Sequence, residues 1–179
     1  MAVELKRIGW KDEPSEDTPI DSGNLKQMEN NTQEAITEVE KKPILKARIN
    51  RQKLQTSGSY GKATISLGTV DINNDNEKEY LALNNNAITI SGEAKLVKVD
   101  VFTGGIGFFG NAGDKAVMLQ KNGKTVEASY QSNDTGYNTV CISTYLSANN
   151  GDKISIVLES QNAGETEILE GYLQVMILK

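Results

Sequence analysis

From residue 45 onward, short apolar segments alternate with clusters of turn-forming residues. The segments are rich in Val, Ile, Leu and Tyr and are bounded by Gly, Asn, Asp and Ser, which is typical of β-strands. About nine or ten such strands fit between residues 45 and 179 with no helical spacing between them. The pattern therefore predicts an antiparallel β-sandwich or jelly roll. The clearest predicted strands are 46–50, 63–67, 87–90, 96–102, 116–121, 124–130, 140–146, 153–158 and 171–178.

Two short motifs predict hairpin turns. Asn122-Gly123 predicts a two-residue turn, because both residues tolerate positive φ. That turn would give the hairpin a continuous apolar face by setting two pairs opposite each other: Leu119 with Val126, and Val117 with Ala128. Residues 149–152 (NNGD) are predicted to join the strands 140–146 and 153–158 as a second hairpin.

Residues 104–113 form a glycine-rich segment that we expect to be a flexible loop. The loop would present Phe108 and Phe109 to solvent or tuck them into an interface. It is not a phosphate-binding loop, because no Gly-Lys-Ser/Thr motif and no helical pattern follow it.

The last predicted strand is apolar on both faces. Alternation places Leu173, Val175 and Ile177 on one face. The opposite face carries three further apolar side chains: Tyr172, Met176 and Leu178. A half-buried strand would be polar on one side, so both faces are expected to be covered. Either a loop or helix of the same chain covers the second face, or copies of the chain do so.

A helix is predicted over residues 24–42. Asp21 or Ser22 is a suitable N-cap, and Pro43 ends the helix. Apolar or small residues follow at spacings of three and four, which indicates a coiled-coil seam: Leu25, Met28, Thr32, Ala35 and Val39. The helix would either pack on its own domain or form a short parallel bundle, since alone it is marginally stable.

Residues 1–23 are predicted to form an extended arm. All three prolines of the chain precede residue 44, and Pro14 and Pro19 favour extended conformations in the residues before them. The arm carries the chain's one tryptophan, Trp10. This side chain either folds back on its own domain or anchors the arm in a partner.

Composition excludes several functions. The net charge is −5 without a basic patch, so nucleic acid is not expected as a partner. No apolar run is long enough for membrane insertion. Histidine is absent, and Cys141 is the one cysteine, expected to be a small buried hydrophobe. A Ser-His-Asp triad and a Cys/His metal site are therefore impossible within one chain, and neither a cofactor nor a metal is expected.

One polar segment between two predicted strands offers carbohydrate-binding chemistry. Glycan sites commonly combine aromatic rings with amide and carboxylate acceptors, and the segment supplies these as Tyr130, Asn133, Asp134 and Tyr137. The alternative is that the four are ordinary loop residues.

The C-terminal third resembles a known family. Tyr145-Leu146, the sequence GDKI at 151–154 and EGYLQV at 170–175 follow one another as in the trimeric jelly rolls of the complement-globular-head and tumour-necrosis-factor superfamily. The resemblance implies a jelly-roll head over residues 45–179, and it implies a homotrimer.

The N-terminal arm is similar to another group of proteins. A tryptophan, then PSEDTPI at 14–20 and NLKQME at 24–29, resemble the N-termini of tail-fibre, baseplate and receptor-binding proteins of phages that infect Gram-positive bacteria. The resemblance implies a virion protein, made in the host cytoplasm, that docks to a tail or baseplate protein through this end. The docking residues would be Trp10, Pro14, Pro19 and Ile20.

Three functions follow as hypotheses. The first is receptor binding, in which a trimeric head binds a host cell-wall polysaccharide or teichoic acid with avidity. The second is a structural or decoration protein whose head only trimerises, which the aromatic content of 6% favours. The third is a glycan-cleaving enzyme, which we do not expect, because nothing in the sequence brings two carboxylates together. The carboxylates considered are Glu127, Asp134, Glu159 and Glu165.

Overall fold

The computed structural model describes residues 22–40, 42–73, 80–92, 96–107, 113–131 and 137–178. The chain divides into two compact units, Met1–Lys42 and Pro43–Lys179. Residues 1–21 of the predicted arm lie outside the described residues, and residues 22 and 23 begin the helix. The four predicted docking residues therefore lie outside the described residues as well: Trp10, Pro14, Pro19 and Ile20.

The first unit contains the predicted helix, α1 (Ser22–Glu40). Leu25 and Met28, three residues apart on one side, are 48% and 49% exposed. The hydroxyl of Thr32 donates a 2.8 Å hydrogen bond to the carbonyl of Met28, which satisfies this polar group within the helix. Ala35 is exposed as well, whereas the side chain of Val39 lies outside the described residues.

The second unit, which we call the head, is built from β-strands. The described part of the chain contains twelve: β1 (Ile44–Ile49), β2 (Gln52–Thr56), β3 (Gly61–Thr64), β4 (Val70–Asn73), β5 (Leu81–Asn84), β6 (Ala87–Ile90), β7 (Leu96–Gly107), β8 (Lys115–Lys121), β9 (Lys124–Gln131), β10 (Tyr137–Ser147), β11 (Lys153–Ser160) and β12 (Gly164–Ile177).

The strands form two antiparallel sheets. Sheet A has the order β10-β7-β12-β1-β4, with β2 also pairing with β12. Sheet B has the order β5-β6-β11-β8-β9, with β3 also pairing with β11. Strands β10, β11 and β12 follow one another in the chain but alternate between the sheets. This topology confirms the predicted jelly-roll sandwich.

One hydrophobic core fills the space between the sheets. Sheet A contributes Leu173 and Val175, which have no exposed area, and sheet B contributes Ile154, Ile156 and Leu158, which have none either. Full burial of each such side chain contributes about 1.5–3 kcal/mol to folding. The core thus covers the predicted inner face of β12.

The Asn122-Gly123 turn is present, but the strand pairing predicted from it is wrong. Asn122 and Gly123 have φ values of 53° and 77°, as a type I′ turn requires. The register shifts by one residue beyond the turn, so Leu119 faces Glu127. The predicted pair Val117 with Ala128 is wrong for the same reason. The β-bulge leaves Val126 39% exposed.

Residues 149–152 do not close a hairpin, which corrects the second turn prediction. Strand β10 pairs with β7 in sheet A, whereas β11 lies in sheet B, so the turn crosses the sandwich. The buried carboxylate of Asp152 accepts hydrogen bonds from the side-chain amide of Asn122 (2.7 Å) and the N–H of Asn149 (2.9 Å). It also lies 3.2 Å from the ammonium of Lys121. These contacts fasten the crossover to the β8–β9 turn.

Two further predictions are corrected. Part of the glycine-rich loop is strand, because β7 continues to Gly107, with Gly105 at a φ of 64° beside a register shift against β10. Phe108 and Phe109 lie outside the described residues. Cys141 is exposed rather than buried, because its neighbours Val140 and Ile142 take the inward positions of β10.

Asp152 offers a test of the crossover. Its pKa is lowered, mainly by the hydrogen bond from Asn122, and also by the N–H of Asn149 and by Lys121. A carboxylate with a lowered folded pKa stabilises the fold above its unfolded pKa, and the contribution is lost as the pH falls through the folded value. We expect Asp152→Ala to lower the free energy of unfolding at pH 7 by about 1–3 kcal/mol, measured by urea titration.

The control is Asp114→Ala, at an exposed position, which we expect to change the urea midpoint little. The difference between wild type and Asp152→Ala should shrink as the pH falls below about 4, near the ordinary pKa of Asp. A difference that stays constant down to strongly acidic pH would contradict this role of the carboxylate.

Candidate functional site on the outer face of sheet A

The outer face of sheet A, the side turned away from sheet B, carries an aromatic pair at its centre. Antiparallel register sets Phe102 of β7 opposite Tyr172 of β12. Their ring centroids are 5.7 Å apart and their planes differ by 22°, a stacked geometry that is favourable for aromatic rings. The ammonium of Lys46 on β1 lies 4.0 Å from the centroid of Tyr172, as in a cation–π contact.

Apolar side chains lie at the end of the face where β12 finishes, separated from the aromatic pair by a row that includes Asp100 and Gln174. Met176 and Leu178 are half-exposed, and Tyr145 and Leu96 are 62% and 38% exposed. Cys141 lies opposite Phe102 and is exposed. A sheet face that meets only water is normally polar, so exposed apolar side chains at this end of the face favour an interaction surface.

A row of polar side chains crosses the same face and is satisfied internally. The hydroxyl of Ser143 donates to Asp100 at 2.6 Å, and the amide of Gln174 donates to it at 3.5 Å. The ammonium of Lys98 lies 3.1 Å from the same carboxylate, and this hydrogen bond raises the pKa of Lys98. Covering the face would therefore not leave this carboxylate buried without a partner.

A depression of about 430 Å³ opens at the other end of the face, where β1 runs into β2. Its lining includes two rings, three cationic side chains and two carboxylates: Phe102, Tyr172, Lys46, Arg48, Arg51, Asp71 and Glu170. Gly171 also lines it, where β12 pairs with β7. A Cβ atom at this position would overlap the carbonyl oxygen of Phe102, which explains the glycine of the GYL sequence.

Both arginines of the depression are held by carboxylates. The Nε and Nη2 atoms of Arg48 contact the two carboxylate oxygens of Asp71 at 3.2 and 3.1 Å. The Nε atom of Arg51 donates to Glu167 at 2.7 Å. The side chain of Glu167 is only 7% exposed, and its pKa is lowered, first by the hydrogen bond from Arg51 and, to a lesser degree, by one from Tyr137. The depression thus has an ordered cationic rim.

The predicted glycan segment is only partly described. Tyr130 at the end of β9 is 66% exposed and Tyr137 at the start of β10 is 51% exposed, and the two strands lie in different sheets. Asn133 and Asp134 lie outside the described residues. Tyr137 contacts Glu167, which places it near the rim of the depression. Whether the four residues form one site stays a prediction.

Sequence reasoning missed the depression. Its residues come from two distant parts of the chain, 46–51 and 169–172, and from Asp71 and Phe102, and only the strand register brings them together. One signal was available. The alternation of β1 places the two cations Lys46 and Arg48 on the outer side, because Leu45, Ala47 and Ile49 fill the core.

The predicted interface residues of the last strand lie on the outer face as expected from alternation. Tyr172, Met176 and Leu178 keep partial exposure, so the described part of the chain does not cover them fully. Their inward neighbours Leu173 and Val175 have no exposed area.

Among the described residues, no group of three or more His, Cys, Asp or Glu could hold a metal ion. Glu165 pairs with Lys53 at 2.8 Å and Glu159 with Lys62 at 3.4 Å, and these carboxylates lie in different sheets. No helix in the described ranges is both long enough and apolar enough to cross a membrane.

Comparisons with known proteins identify the fold. No protein-family model and no curated protein match the sequence. Solved structures do match. Murine APRIL crystallised at pH 5.0 shares 10% identity and a TM-score of 0.59, over 77% of this chain and 100% of that one. Eiger TNF from S. frugiperda shares 9% identity and a TM-score of 0.52, over 76% of this chain and 94% of that one.

These similarities establish that the head has the tumour-necrosis-factor-like jelly-roll fold. They confirm the fold that the C-terminal resemblance implies. The matched proteins are identical to this chain at only about a tenth of the aligned positions.

Proposed function

We propose that this protein is a tail-tip or baseplate receptor-binding protein of a phage that infects Gram-positive bacteria. Residues 1–23 dock to the virion, residues 24–42 and the head form a homotrimer, and the head binds a host cell-surface glycan. The observation that carries the proposal is the apolar outer face of sheet A on a tumour-necrosis-factor-like head. The resemblance of the arm to phage tail proteins supplies the biological setting.

The trimer is proposed from two exposed apolar surfaces. In the head, Tyr172, Met176 and Leu178 would pack against the same face of neighbouring copies. In α1, the seam would form a short parallel bundle through Leu25, Met28, Thr32, Ala35 and Val39. A helix of 19 residues is only marginally stable alone, and three copies linked to a trimeric head would stabilise one another.

Trimerisation would also serve binding. Three weak glycan sites on one rigid particle increase the overall affinity about 10²- to 10⁴-fold without new contacts, provided that the receptor repeats along the cell wall. The proposal involves binding without catalysis. It is supported by the absence of histidine from the sequence and by the ion pairs that Glu159 and Glu165 make with lysines.

A structural role is the second candidate. The aromatic content is 6%, and the central rings Phe102 and Tyr172 stack on each other. Both features suit a head that only trimerises and decorates the tail.

The oligomeric state tests the interface. We expect light scattering of the full chain to give three times the chain mass of 19.5 kDa. Met176→Glu places a charge in the proposed interface, where burying it unpaired is unfavourable, and should give monomers. The matched control, Val126→Glu, alters an exposed apolar residue of sheet B and should remain trimeric. A trimer that persists in Met176→Glu would contradict the assigned face.

Binding to cell walls tests the function. We expect the wild-type chain to co-sediment with purified walls of a Gram-positive host. Monomeric Met176→Glu should bind about 10²-fold more weakly or worse, because avidity is lost. If the trimer binds no wall preparation from any host that the phage infects, the structural role replaces receptor binding.

A further inference from the structure

The depression on the outer face of sheet A brings three cationic side chains together in an acidic protein. The chain carries a net charge of −5, and Lys46, Arg48 and Arg51 line the depression together with two carboxylates, Asp71 and Glu170. Glu167 pairs with Arg51 at its rim, so the charges balance, and an anion would be recognised through the N–H donors that the arginines still offer.

The arginines are positioned and still have hydrogen-bond donors to offer. A guanidinium has five N–H groups. Arg51 donates to Glu167 through Nε, and this ion pair does not use the Nη groups of Arg51. The side chain of Arg51 is 70% exposed. Arg48 is 56% exposed although Asp71 holds it in place. Donors fixed in this way lose less conformational entropy when a ligand binds. The planar fork of N–H groups in a guanidinium matches the oxygen atoms of a phosphate or carboxylate.

The same depression has one apolar wall, and its volume suits a sugar or polyol. The stacked rings of Phe102 and Tyr172 line it, and C–H groups of a carbon skeleton pack favourably on such rings. Its volume of about 430 Å³ falls within the range of about 300–1,000 Å³ that is common for small-ligand sites. It can therefore hold a single unit of a polymer.

The depression and the proposed trimer contact occupy different ends of the face. Glu170 lines the depression, and Leu178 lies eight positions further along the chain, which corresponds to about 26 Å of extended strand. Tyr172 lies between them. Tyr172 also belongs to the proposed trimer contact, and copies that meet through it, Met176 and Leu178 would leave the Arg48–Glu170 end for a ligand.

We propose that this depression binds one unit of an anionic polyol or sugar polymer. Its phosphate or carboxylate contacts Arg48 and Arg51, and its carbon skeleton packs on Phe102 and Tyr172. The inference rests on the proposed glycan-binding function and assigns to it a ligand class and a site. The shared chemistry is an anionic group on a hydroxylated chain, which both a glycerol phosphate polymer and a polyuronate carry.

Calorimetric titration of the full chain distinguishes these ligands. The probes are poly(glycerol phosphate) oligomers, galacturonate oligomers and, as the neutral reference, maltose oligomers. We expect one or both anionic probes to bind and the neutral one not to bind. Arg48→Gln and, separately, Arg51→Gln should weaken binding about tenfold or more, as loss of a hydrogen bond or ion contact to a charged group does.

The matched control is Lys53→Gln. Lys53 lies in the same sheet, is 63% exposed and pairs with Glu165, but it does not line the depression. The affinity of Lys53→Gln for the anionic probes should therefore stay within about twofold of wild type, since exposed ion pairs contribute little energy. Light scattering and circular dichroism verify that each variant is folded and assembled. Using two depression variants keeps the test valid if one of them fails to fold.

The outcomes separate this inference from the proposed function. Equal binding of the neutral oligomer, no binding of any probe by wild type, or unchanged affinity in both depression variants would each overturn the inference. If wild type and both depression variants bind cell walls equally, receptor binding stands while this site is wrong. If wild type binds neither walls nor probes, both fail.

Discussion

The apolar character of β12 on both faces is the constraint on which the head depends. One face, with Leu173 and Val175, completes the core between the sheets. The other face carries Tyr172 and Met176, half-exposed on a strand that pairs with three others, β7, β1 and β2. Because β12 lies within sheet A, its outer residues form the middle of a broad surface. Covering that surface would remove exposed apolar area from water, which is the main driving force of association.

The register of β12 against β7 and β1 determines where a ligand could bind. Gly171, the glycine of the GYL sequence, allows β12 to approach β7 closely, and Phe102 and Tyr172 stack on the outer side. Strand β1 runs alongside and adds Lys46 and Arg48. The apolar end and the cationic end of the outer face are thus consequences of one strand arrangement, and we assign to them the two proposed roles, assembly and ligand binding.

Local patterns predicted much of this fold, and long-range pairing accounts for what they missed. The alternation of β12 and the Asn122-Gly123 turn were readable because they depend on neighbouring residues. The crossover at 149–152 was misread because a turn sequence does not reveal whether the next strand joins the same sheet. Strand β2 went unpredicted because Leu54 is its one apolar residue. The depression joins Lys46 to Glu170, which no local pattern can show.

The reactivity of Cys141 tests most directly whether copies meet through the outer face of sheet A. This single thiol is exposed in the isolated chain. It lies opposite Phe102 on β10, at the side of the sheet away from β1 and the depression. The measurement is its rate of reaction with a chromogenic disulfide reagent in the native protein and in urea. The account predicts slow reaction in the native protein and fast reaction after unfolding, since thiol reactivity follows access. Equally fast reaction in the native protein would contradict it.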